Sequence, residues 1–192
     1  MDCHDASDKK QEIIAKTWSY LLRTGLANAS VGDLCREEKL SQSSLYYWFE
    51  NKNDIWISAG RYGLALVVDE LFRFTFDHID RVEEFFDTLL SEVDRFKDAL
   101  RVAVQITVSP VFGSQMREKN MEFNGIYERY AQEIMTAFGC SCLQAKVFIY
   151  STLAFVVDYA IWDDSEITQM LLDNMYNRIV GVLRLDLPFK GL

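Results

Sequence analysis

Proline and glycine are scarce in this chain: its 192 residues include 2 Pro and 9 Gly. So few breakers exclude collagen-like and low-complexity classes and leave room for long helices. Cysteine is also sparse, at Cys3, Cys35, Cys140 and Cys142, and the opening MDCHDASDKK has no apolar leader. This predicts reduced thiols in a cytoplasmic protein rather than a disulfide framework. Histidine occurs only as His4 and His78. With the lone Cys140-Ser-Cys142 they make a weak ligand set, so neither a metal nor another cofactor is expected. No nucleophile with a base and orienter, and no phosphate loop, is visible, which argues against an enzyme. Positive charge is in deficit too, with 20 Lys and Arg against 29 Asp and Glu and a net charge of -9. This argues against broad nonspecific binding to polyanions, and any nucleic-acid contact must be local. Residues 1–60 carry seven basic and nine acidic residues, closer to neutral than the thirteen and twenty that follow. The longest apolar run, 147–162, is shorter than the ~20 residues needed to span a bilayer and contains Asp158. It predicts a buried helix and no membrane partner.

What is present is a large apolar fraction, 49%, with 14% aromatic residues. That suffices for a genuine core. No strand alternation and no repeat of ~20–50 residues appears, so the predicted class is all-α. Asp8 followed by Gln11 looks like a cap opening a first helix, with Ile14, Trp18, Leu21 and Leu22 on one face and Gly25 as its stop. Ser30-Val-Gly-Asp33 matches a capping box for a helix over 31–38, with Asp33 reaching back. Lys39-Leu40 makes a turn, Ser41 caps a third helix of about eight residues, and Asn51-Lys-Asn-Asp54 caps a fourth that runs to Asp77. Further helices are predicted over 82–94, 96–108, 115–138, 141–162 and 165–185. Three short helices in about fifty residues are the footprint of a compact helical DNA-binding unit. The domain reading is therefore 1–51 as a helix-turn-helix DNA-binding head and 52–192 as a second helical domain, for which ligand binding and dimerisation are the expectations.

Leu34, Leu40, Leu45 and Trp48 fall where two short helices crossing steeply need apolar contacts, with small Cys35 at the close approach. The run LSQSSLYYWFENKNDI over 40–55 then resembles the tetracycline-repressor family: a Ser-started recognition helix, a Leu-Tyr pair, an aromatic-Phe ending and a Lys opening the next helix. The resemblance covers about residues 10–56, and helix count and lengths extend it to the remainder. It implies that Gln42, Ser43 and Ser44 face base edges in the major groove, where Gln bonds adenine and Ser either partner. It further implies that Tyr46, Tyr47 and Lys52 contact phosphates, joined by Ser30 at the second helix's N-terminus, with Leu45 and Phe49 in the core. Two features depart from the family. Glu38-Lys39 replaces the usual Ala-Gly entering the turn, and the frequent basic residue of the third helix is missing.

In the second part, Phe148, Thr152, Phe155 and Tyr159 share one stripe of 141–162, which Val147, Leu153, Val156 and Val157 widen, and Ile167, Leu171, Met175, Ile179 and Val182 line 165–185. A helix apolar nearly all round is buried on two sides. These two helices are therefore expected to pack on their own subunit and on a second copy, forming a two-fold, four-helix interface. Asp158 reads either as a charge at that rim, paired with Arg101 or Arg129, or as a polar anchor for a ligand. Asp163-Asp164 reads as a solvated cap. The ligand-binding candidates are Tyr127, Phe155, Asp158, Tyr159 and Trp162, for an unknown apolar or amphipathic effector. The functional expectation is a repressor released from a pseudo-palindromic DNA operator by that effector. The rival is a helical small-molecule-binding protein with weak or lost DNA binding.

Overall fold

The computed structural model describes residues 3–78, 81–119 and 121–186. Among these residues there are ten α-helices, one short 3₁₀ turn and no strand, so the all-α expectation is met. The helices are α1 (Cys3–Thr24), α2 (Val31–Glu37), α3 (Gln42–Trp48), α4 (Lys52–Asp77), α5 (Val82–Asp94), α6 (Lys97–Val108), α7 (Gly113–Lys119), α8 (Met121–Phe138), α9 (Cys142–Trp162) and α10 (Ser165–Asp186). The chain divides into two compact units, residues 1–69 with 98–121, and residues 70–97 with 122–192. The predicted 1–51 head lies wholly within the first.

In the first unit α1 begins at Cys3, five residues before the predicted start. Asp8 is exposed within the helix and caps nothing. No Gly or Pro stands between Cys3 and Asp8, so nothing in the local sequence stops the helix from extending backwards. Ile13, Ile14, Trp18 and Leu21 form its buried face, and Gly25, at φ 71° and ψ 153°, ends it. That backbone region is open essentially to glycine alone. The 3₁₀ turn Leu26–Asn28, absent from the sequence reading, then leads to Ser30.

Ser30 caps α2 as predicted, its hydroxyl accepting from the Asp33 N–H at 3.1 Å. The return half differs. The Ser30 N–H donates to the hydroxyl of buried Tyr20 at 3.1 Å, and the Asp33 carboxylate instead accepts from the Ser30 hydroxyl at 2.7 Å. Tyr20 stacks on Trp56, so α1 and α4 both hold the entry to α2.

Leu34 and Leu45 are fully buried between α2 and α3, with Cys35, Leu40 and Trp48 partly buried against the same core. Lys39 between these helices has φ 54°, in the left-handed region that favours glycine. Glu38 is held by the Arg23 guanidinium of α1 at 2.5 Å, so the turn is clamped from outside. A side chain at that backbone angle costs about 1 kcal/mol. Lys39→Gly is therefore expected to stabilise the protein by about 0.5–1 kcal/mol, the gain being reduced by glycine's greater unfolded-chain entropy. Urea denaturation checks this, and a lowered midpoint would contradict it.

Ser41 caps α3 through the Ser44 N–H at 3.0 Å. Asn51 Oδ1 accepts from the N–H groups of Asn53 and Asp54, opening α4 as the sequence predicts.

The segment read as one helix over 115–138 is two, α7 and α8. Met116 of α7 is buried in the first unit's core, whereas Tyr130 and Ile134 of α8 are buried in the second unit, so the two helices serve different cores. In the second unit α5, α9 and α10 pack on one another. Phe72 of α4 stacks on Tyr130 of α8 with 3.5 Å between ring centres.

The buried stripe of α9 is Ala145, Ile149, Thr152, Val156 and Tyr159, offset from the predicted one, in which Phe148 and Phe155 are only half-buried. In α10 the residues inside are Thr168 and Leu172, while Ile167 and Leu171 of the predicted stripe are exposed and Met175 is half-buried. The Ile179 and Val182 side chains lie outside the described ones. Of the residues chosen from the sequence, Thr152, Val156 and Tyr159 are inside, Phe148, Phe155 and Met175 are half-buried, and Ile167 and Leu171 face outward.

At 21 residues α9 is longer than its apolar run suggested, and it is the one helix among the described residues long and apolar enough to cross a membrane. Core helices of globular domains have the same length and composition, and α9 packs against α5 and α10.

Candidate functional site

The elements that present the predicted DNA-facing residues are short, and their orientation follows from what they bury. With Leu45 and Phe49 fully inside, the 3.6-residue period turns Gln42, Ser43, Tyr46 and Tyr47 outward. Tyr47 is 75% exposed and Tyr46 47% exposed, so neither ring is core, and Tyr47 meets Trp48 edge-on at 4.6 Å. Ser44 is half-buried and its N–H belongs to the cap. The Ser43 hydroxyl lies 3.0 Å from that of Ser41. Lys52, exposed at the first position of α4, sits one residue after the Asn51 cap. Gln42, Tyr46, Tyr47 and Lys52 thus offer amide, phenol and ammonium groups to solvent.

Ser30 does not. Its N–H is used by Tyr20 and its hydroxyl proton by Asp33, whose carboxyl the Ser30 and Arg36 contacts hold below the usual carboxylate range. A phosphate there would meet a carboxylate rather than a free donor.

Charge near α3 is mostly paired. Arg23 lies on Glu38 and Glu37, and Arg36 on Asp33, while Lys39 and Lys52 are exposed. A further cation that sequence reasoning missed is Lys10 of α1, whose ammonium stands 5.3 Å from the Phe49 ring centre. Nothing local signals it, because Lys10 and Phe49 are far apart in the chain.

The five ligand candidates of the second unit do not converge. Tyr159 is buried, and its hydroxyl donates to the Asp94 carboxylate at 2.8 Å. Lys97 bonds both Asp94 and Asp163, at 2.8 and 2.5 Å, and lies over the Tyr159 ring. Burial first, then the bond to Asp94, pushes the Tyr159 phenol up, while Lys97 and Tyr159 hold the Asp94 carboxyl down. This cluster joins α5, α6 and the end of α9, and it leaves Tyr159 no free donor for a ligand. It also means that Asp163, at φ 59°, is an ion-paired helix end rather than a merely solvated cap. Asp164 accepts from the Ile167 N–H and opens α10.

Tyr127 is half-buried between Phe72 and Tyr150, and burial pushes its phenol up. Asp158 is exposed, and Trp162 is 73% exposed. Of the two arginines considered for Asp158, Arg101 pairs with Asp98 and Arg129 lies against Tyr130.

Phe155 alone of the five lines a cavity of about 620 Å³ between the end of α8, α9 and α10. Its apolar wall includes Phe138, Val147, Phe148, Leu171 and Met175. Gln144, Ser151, Asn174 and Arg178 supply polar groups. From the sequence, Phe148, Leu171 and Met175 of this lining read as packing stripes, because nothing in the periodicity separates a helix contact from a cavity wall. No group of three or more His, Cys, Asp or Glu residues stands close enough to hold a metal among the described residues. Cys140 is half-buried, with burial pushing its thiol up, and Cys142 is exposed. Compared with protein-family models and with curated proteins, the chain matches none.

Proposed function

We propose that this chain is a cytosolic, non-enzymatic DNA-binding regulator, akin to the tetracycline-repressor family it resembles, which acts as a homodimer and is released from a pseudo-palindromic operator by a small apolar or amphipathic ligand. The observation that carries the reading is the α2–turn–α3 unit: Leu34 and Leu45 buried between two crossing helices, with Gln42, Ser43, Tyr46 and Tyr47 outward on one of them. A helix of that kind fits the major groove, and those side chains are hydrogen-bonding partners for base edges and phosphates. Two such heads need a dimer. The outward apolar residues of α9 and α10, among them Leu143, Val147, Ile167 and Met170, are suited to a second copy, because burying so many exposed large apolar side chains favours association. A ligand would act by preferring one spacing of the heads over another.

The second reading, a helical binding protein without useful DNA affinity, is favoured by Ser30, whose donors are consumed within the chain, and by the acids beside α2. Selection of duplexes from a random pool by the purified full chain, at low salt, separates the two. Enrichment of one sequence with two-fold symmetry is expected. A pool that stays random would overturn the regulator and leave the second reading.

A further inference from the structure

We infer that the cavity between α8, α9 and α10 binds an amphipathic monoanion, an acidic headgroup on an apolar body, one per chain. The binding stands by itself, and its regulatory consequence rests on the reading proposed above. Its volume, about 620 Å³, lies within the range of small-molecule sites, and its walls are mainly apolar with a few polar groups, as such sites require.

The polar groups decide the sign of the ligand. Arg178 lines the cavity and is charged at any physiological pH, and no Asp or Glu stands among the described lining residues. Gln144 closes the capping box of α9: its side-chain oxygen accepts from both the N–H and the hydroxyl of Ser141, each at 2.8 Å. Only an oxygen can accept from that N–H, so the Gln144 NH₂ is the part left to a ligand. The lining therefore offers one full positive charge with amide donors and no negative charge. A cationic amphiphile would lose hydration without gaining a partner, whereas a carboxylate gains charge-assisted hydrogen bonds.

Leu171, Asn174, Met175 and Arg178 recur at i, i+3, i+4 and i+7 along α10, so apolar wall and cation belong to one helix face. Leu143, Val147 and Leu171 line the cavity and are also exposed on the face proposed for a second copy. An occupant would therefore alter the surface on which the spacing of the heads depends.

The test is isothermal titration of the full chain with dodecanoate, 1-dodecanol and dodecyltrimethylammonium, each below its micellar concentration. Dodecanoate is expected to saturate at one per chain and to bind at least about tenfold tighter than the other two, the gain from one charged hydrogen-bonding partner. Arg178→Gln should abolish that preference, and Arg178→Lys should retain part of it. Arg178 is exposed, so neither variant threatens the fold. Equal binding of the three probes, an unaltered preference in Arg178→Gln, or no saturable binding because a second copy fills the groove would each overturn the inference. Arg178-dependent binding by a chain that selects no duplex would instead overturn the regulator and leave the site standing. A selected duplex whose affinity ignores dodecanoate would remove only the site's regulatory role.

Discussion

Gly63→Ala is expected to lower the stability of the first unit by about 2 kcal/mol. A methyl group at Gly63 would lie 2.3 to 2.4 Å from three carbons of the Trp18 ring, far inside van der Waals contact. The ring cannot swing away, because Trp18 is only 4% exposed and packs in the core that also holds Leu21, Ile55 and Trp56. Overpacking of a filled core costs about 1–3 kcal/mol, occasionally more. Against that, Ala favours the interior of α4 by about 1 kcal/mol over Gly, so the clash at the upper end of its range must be discounted. Gly32→Ala is the internal control. Gly32 is also helical, but it is exposed, and the nearest atom to an added methyl is the Ser30 hydroxyl at 4.0 Å, so this variant should be neutral or slightly stabilising. Chemical denaturation followed by tryptophan fluorescence compares the two. If Gly63→Ala were as stable as Gly32→Ala, the close approach of α1 and α4 would be wrong.

The Gly63 contact also illustrates what could and could not be read from the chain. Caps were legible because they are local: Ser41 and Asn51 act within three residues, and the chemistry of an oxygen beside free amides is visible in the letters. The pairing of Leu34 with Leu45 was legible because a steep crossing of two short helices constrains a short stretch. Contacts between distant residues were not. Tyr20 on Ser30, Arg23 on Glu38 and Trp18 on Gly63 decide how the head is held, yet none follows from periodicity. In the second unit the difficulty was different. A helix as uniformly apolar as α9 gives no clear face, so its buried stripe was only half legible, and Phe148, Leu171 and Met175 read as stripe residues rather than as cavity lining. The Glu38-Lys39 turn is left-handed at Lys39, and Glu38 is held by Arg23, so an unusual sequence is accommodated by a partner outside the motif.

Replacing Tyr47 and Lys52 together by Ala is expected to weaken DNA binding by roughly 10–100-fold on every sequence, if the proposed regulator reading holds. Both side chains are exposed, Tyr47 at 75%, and neither contributes to the core of the first unit, so the variant should keep its fold and any loss would belong to the interface. The two residues differ in how salt should reveal them. Lys52 is a cation at the start of α4, and removing one phosphate contact should reduce the slope of log affinity against log salt by about 0.9. Tyr47 is neutral, so its loss should lower affinity and leave the slope alone. Gln42→Ala provides the contrast: it should narrow the gap between preferred and random duplexes with little change on random ones, because a base-edge contact carries sequence information and a phosphate contact does not. Titrations of single and double variants at several salt concentrations measure all three quantities. Undiminished affinity in the Tyr47/Lys52 variant would remove α3 from the interface. With so few unpaired cations beside α3, any remaining polyanion binding would then have to come from elsewhere on a chain of net charge -9, which is poorly suited to it.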